Sequence, residues 1–120
     1  MKKLILDLDT GVDDTLAISY ALGSPEVELI GITGTYGNVL MEQGVRNALA
    51  ITDLFGHPEV KVYRGLPHAS KKDSFEVLSI SAFIHGDNGI GDVVIPDSKR
   101  EAESEPVSYT HLTLPTNREV

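Results

Sequence analysis

The sequence predicts an α/β chain, a Rossmann-like open parallel sheet flanked by helices. Three observations predict it. Two apolar runs, Leu4–Leu6 and Val27–Thr33, are separated by one helix-length segment, which makes a βαβ unit with a right-handed crossover. A second helix-length segment and a third short apolar run, Val60–Tyr63, continue the alternation. Four carboxylates, Asp7, Asp9, Asp13 and Asp14, fall within eight residues where the first strand gives way to the first helix. In open parallel sheets that edge is where ligands bind.

Each element has its own warrant. Residues 4–9 read as a buried strand. Residues 13–22 read as a helix, with Leu16, Ala17 and Tyr20 as its apolar pattern and Gly23-Ser24-Pro25 as its stop. Val27–Thr33 is rich in β-branched residues and reads as the second strand. The loop Gly34-Thr35-Tyr36-Gly37-Asn38 follows at the edge that carries the acids. A second helix is predicted over 41–55, since Met41, Val45, Ala48, Leu49, Thr52 and Phe55 recur at helical spacing. Gly56-His57-Pro58 ends it, with His57 placed to interact with the helix dipole. Beyond Gly65 the pattern weakens. Phe75–Phe83 reads as a short helix of poor period, and His85–Gly91 (HGDNGIG) as a glycine-rich loop. Val93–Ile95 reads as a strand or extended arm, and 96–106 as charged, solvated linker.

Composition narrows the function classes. The chain has 120 residues and a formal charge of −8, which argues against a nucleic-acid binder, since that needs a basic face. It has no cysteine, hence no disulfide framework and no thiolate zinc site. No apolar run approaches the roughly 20 residues of a membrane helix. Only Leu4–Leu6 separates Met1-Lys2-Lys3 from Asp7, too little for a signal-peptide core, so a cytoplasmic location is expected.

The acid cluster carries the chemistry. Along a strand Asp7 and Asp9 point to one side and Leu8 to the other. Thr10-Gly11 is expected to form a tight turn that uses glycine's wider backbone range. Asp13 and Asp14 then open the helix near its positive end. Capping accounts for one acid or two. Asp9 and Asp14 can converge in front of the turn, and carboxylates that close repel unless a positive charge lies between them. A hard divalent cation suits oxygen ligands, Ca²⁺ or Mg²⁺ better than zinc.

The stretch DLDTGVDDTLAI resembles the N-terminal signature of the nucleoside hydrolases, the inosine–uridine-preferring N-ribohydrolases, which typically reads D-x-D-P-G-x-D-D-A-x-A. Thr10 stands where the family has Pro, and Thr15 where it has Ala. TYGN and HGDNGIG also suit the pattern, the latter retaining His85, Gly86, Gly89 and Gly91 of an HG-x-x-G-x-G segment. The resemblance implies hydrolysis of the N-glycosidic bond of ribonucleosides by a calcium-bound water, in purine or pyrimidine salvage. It implies Asp9 and Asp14 as Ca²⁺ ligands, with Asp9 also accepting the water's proton. It implies Asn38 contacting water and sugar, Asp13 holding ribose hydroxyls and His85 near the ligand. Asp7 reads as structural support, either hydrogen-bonding the turn or standing behind a metal ligand. The partners implied are a ribonucleoside and further copies of the parent protein, a dimer or tetramer, with no nucleic acid and no membrane.

The resemblance covers about residues 1–96, and the family's later ligands and its late His-Asp pair are not among them. Residues 1–106 therefore read as the N-terminal part of a truncated nucleoside hydrolase-like domain, not competent alone. Residues 107–120 (VSYTHLTLPTNREV) read as a non-native, adapter-derived tail. Two other readings stay open: a haloacid-dehalogenase-like phosphatase using Asp7 and Asp9, and a non-catalytic cation-binding α/β module. Against the phosphatase, Gly11 stands where that family has Thr or Val.

Overall fold

The structure, a computed structural model, describes residues 1–107. The elements are β1 (Lys2–Leu8), α1 (Val12–Gly23), β2 (Val27–Gly34), α2 (Met41–Leu54), β3 (Lys61–Arg64) and α3 (Ser79–His85). The three strands form one parallel sheet in the order β1-β2-β3, so the expected open α/β sheet is present. β1 pairs with β2 from Lys2↔Val27 to Leu8↔Gly34, with a register shift between Leu4 and Ile5. α1 packs on β2, α2 packs on β2 and β3, and the two helices touch. That is the arrangement expected when successive crossovers of one hand step the same way across a sheet.

The core lies between these helices and the sheet. Ile18 and Ala21 of α1 meet Leu29 and Ile32 of β2, Val45, Ala48, Leu49 and Ile51 of α2, Val62 of β3 and Val60 just before it. α2 matches its predicted stripe, except that Phe55, just past the helix, is 42% exposed. α1 does not match. Leu16 and Tyr20 are 68% and 82% exposed, and Ile18 and Ala21 face the core instead. In a short, largely apolar helix several stripes are equally plausible, and contact with β2 selects one of them. β1 is half-buried rather than buried, as the edge strand among the described residues.

The segment after α3 also departs from expectation. Val93–Ile95 forms no strand. Residues 96–106 are a strap docked on the fold rather than a solvated linker. Arg100 donates to Asp53 Oδ1 (2.8 Å), Thr52 Oγ1 (2.7 Å), Val60 O (2.8 Å) and Leu49 O (3.3 Å). Glu103 N–H donates to Val62 O at 2.7 Å, and Glu103 bridges Tyr63, so the strap covers the outer edge of β3. His57 pairs with Glu59, Nδ1 to Oε1 at 2.8 Å, which adds a carboxylate partner to its expected place at the end of α2. The reading of 107–120 as a non-native tail falls, beyond Val107, outside the described residues.

Candidate cation and sugar site

Three segments meet beyond the C-terminal ends of β1 and β2. They are the acid turn Asp9–Asp14, the loop Thr35–Asn38 and the end of α3 with its following loop. Thr35 N–H donates to Leu8 O at 2.9 Å, which continues the β1–β2 ladder by one bond and brings the second segment over the first. Asp9 Oδ2 then accepts the main-chain N–H of Asn38 at 2.8 Å. Gly37 lies directly under this carboxylate, and a Cβ there would collide with Asp9 Oδ2. The glycine is required by close approach, and its missing side chain is the room that Asp9 occupies.

At the helix start the acids are not consumed by capping. The N-cap is Gly11, with no side-chain cap, and Asp13 and Asp14 lie in the first turn. Gly11 has φ −101° and ψ −166°, an extended conformation open to any residue. The expectation that it serves for its backbone freedom is therefore corrected. A Cβ at Gly11 would stand 2.6 Å from His85 Nδ1, so the glycine makes room for the imidazole. His85 is the last residue of α3, its side chain only 13% exposed. Its Nδ1 accepts the N–H of Val12 at 3.1 Å and lies 3.9 Å from Asp13 Oδ1.

The electrostatics single out Asp14. Its carboxyl is pushed up to about 6, first by burial, then by a hydrogen bond shared with Asp9 and by the charges of Asp13 and Asp9, with the Gly11 backbone opposing. Asp14 Oδ2 is buried without a hydrogen-bond partner. Two carboxyl groups close enough to share a proton, one of them with an orphaned buried oxygen, are poised to receive positive charge. The donor set is oxygen only, which suits a hard cation such as Ca²⁺. Among the described residues no third acid or histidine joins them.

The site thus brings Asp9, Asp14, Asn38, Asp13 and His85 to one sheet edge. Asn38 reaches Asp9 through its main chain, a contact that its amide side chain gave no reason to expect. Asp13 is 74% exposed at the mouth. Asp7 is exposed on β1, and its carboxylate makes no hydrogen bond to another described residue, so it does not hold the turn that way. Sequence reasoning passed over Gly37 and also Asn47, whose only signal is a polar residue among consecutive buried positions of α2.

Residues 4–119 match the family described as inosine-uridine preferring nucleoside hydrolase. The chain belongs to the nucleoside hydrolase family. It is 39% identical over 109 residues to uridine nucleosidase 1 of Arabidopsis thaliana, covering 90% of this chain and 32% of that protein. It is 53% identical over 93 residues to an uncharacterized protein from the ribF 3′ region of Corynebacterium ammoniagenes, covering 78% of this chain and 97% of that one. Its fold superposes on the purine-preferring ribonucleoside hydrolase from Gardnerella vaginalis with a TM-score of 0.87 and 87% identity, over 90% of this chain and 34% of that one. The chain therefore spans about a third of the length of the two named hydrolases. The acid turn resembles this family's signature and belongs to a chain of this family, which removes the ground for the phosphatase reading.

Proposed function

We propose that this chain forms the cation- and sugar-binding part of a nucleoside N-ribohydrolase, which cleaves ribonucleosides to ribose and free base. The observation that carries the reading is the Asp9–Asp14 pair with its orphaned, buried Asp14 Oδ2. Asp9 and Asp14 would hold Ca²⁺, which when bound supplies a positive charge that lowers the pKa of a neighbouring water. Asp9, fixed by Asn38 N–H and seated on Gly37, accepts the proton of the attacking water. Water oxygen bonds to the anomeric carbon, the bond from that carbon to the base nitrogen breaks, and the base leaves with the electron pair. The transition state carries oxocarbenium character, as in O-glycoside hydrolysis, and the carboxylates offset that charge. Asp13, exposed at the mouth, receives ribose hydroxyls. Asn38 orients the water through its side chain, and His85 lies against the ligand from α3.

Two carboxylates are few for Ca²⁺, which takes about six to eight oxygens. The chain alone is therefore expected to lack turnover. Identity of 87% to a purine-preferring hydrolase makes purine ribonucleosides the first substrates to test. A direct test grafts residues 1–106 onto the remaining two thirds of the Gardnerella vaginalis enzyme. The graft is expected to release ribose from inosine in the presence of Ca²⁺ and to lose that activity in Asp9→Ala. A folded graft without activity, or activity that survives Asp9→Ala, would overturn the reading.

A further inference from the structure

One buried polar residue lies outside the set assigned above. Asn47 sits on the inner face of α2 and is 3% exposed. A buried amide is retained without cost only where its groups are bonded, and here its two donor bonds lead to two different segments. Asn47 Nδ2 donates to Asn88 O at 2.7 Å and to Thr10 O at 3.4 Å, and Asn47 Oδ1 accepts from Gln43 Nε2 at 2.9 Å. Thr10 belongs to the acid turn and Asn88 to the loop after α3. One side chain thus joins both halves of the site through their main chains.

The loop side is built for this contact. Gly89 has φ +82°, and a Cβ there would stand 2.8 Å from Thr10 O and 3.1 Å from Asn47 Nδ2. The loop is also tied to itself. Asp92 Oδ1 accepts the N–H of Asp87 at 2.8 Å, Asn88 Oδ1 accepts the N–H of Asp92 at 2.8 Å, and Gly91 N–H donates to His85 O at 2.7 Å. A self-closed loop moves as a unit, so its placement depends on its outside anchors. Two anchor it on the acid turn: His85 on Val12 N–H, and Asn47 spanning Asn88 and Thr10.

We propose that Asn47 is a positioning residue that holds the His85-bearing loop in register with the acid turn. Its importance to catalysis rests on the hydrolase reading, but the positioning itself does not. Asn47 touches no reacting group. It sets the distance between Asp13 and His85 by joining the segments that carry them.

The test is amide hydrogen exchange and imidazole ¹⁵N chemical shifts of the full 120-residue chain at one fixed pH, wild type against Asn47→Ala. Removing the shared donor should raise exchange at residues 85–92 at least about fivefold relative to Val62 and Ile51 in the core. The His85 Nδ1 shift should move from that of a hydrogen-bonded acceptor towards the average of the two neutral tautomers. Unchanged loop protection and an unchanged His85 shift would overturn the proposal, as would acceleration equal in loop and core. If Asn47→Ala does not fold, the wild type decides. Its Asn47 side-chain amide protons should exchange at least about tenfold more slowly than those of an exposed asparagine, and free exchange would overturn the proposal. Calcium titration of the same wild-type sample reports separately on the hydrolase reading.

Discussion

Asp14 is where burial and charge conflict most. Its folded-state carboxyl titrates at about 6, above the ordinary 3.8, because burial and the neighbouring Asp9 and Asp13 disfavour its ionised form. The metal-free folded chain therefore binds this proton more tightly than the unfolded chain does. Ionising Asp14 costs stability in full above about pH 6 and costs nothing below its unfolded value. Asp14→Asn should raise the melting temperature of the metal-free chain at pH 7.5, and the gain should vanish as pH falls to 4. A gain independent of pH would contradict the account. Calcium held by Asp14, as proposed, would stabilise the ionised form, so calcium affinity should fall as pH drops through about 6. Gly37 tests the same carboxylate from below. Gly37→Ala places a methyl where Asp9 Oδ2 stands and should weaken calcium binding about tenfold to hundredfold, the usual scale for a group that orients a ligand. Calorimetric titration of the variant against wild type checks it. Clustered acids were legible from their spacing. The glycines that make room for them were not, because a glycine in sequence does not say whether it serves a turn or a close approach.

At the scale of elements, legibility followed the strength of the periodic signal. The α2 stripe from Met41 to Thr52 is buried as its spacing predicts, since apolar and polar positions differ clearly along it. α1 is apolar on more than one face, so its buried side is decided by contact with β2 and not by its own pattern. α3 has no buried residue, and its placement comes from His85 and the following loop, contacts remote in sequence. The 96–106 strap reads as solvated because it is charged. One of those charges, Arg100, makes it a docked segment by satisfying main-chain carbonyls of α2 and Val60. Arg100→Ala leaves those acceptors and Asp53 without their guanidinium partner, with a stability loss of about 1–3 kcal/mol. Chemical denaturation of the variant measures it, and a loss under about 0.5 kcal/mol, the usual range for a surface change, would show the strap to be incidental.

The whole molecule presents a three-stranded sheet whose two edges differ. The strap covers β3, and among the described residues no strand pairs with the outer edge of β1. The acid turn extends from β1, so the proposed cation site lies beside the open edge. Phe83, on α3, and Val94, after its following loop, are 85% and 93% exposed. The uridine nucleosidase and the ribonucleoside hydrolase it matches are each about three times its length. We propose that Asp9 and Asp14 already form a cation site within this chain. The most direct measurement is calorimetric titration of calcium into the folded chain, with Asp14→Ala as control. The account predicts one binding event of about millimolar affinity, as suits a site with few protein ligands, absent in the variant. No binding by folded protein at several times that concentration, or the same binding in Asp14→Ala, would contradict it.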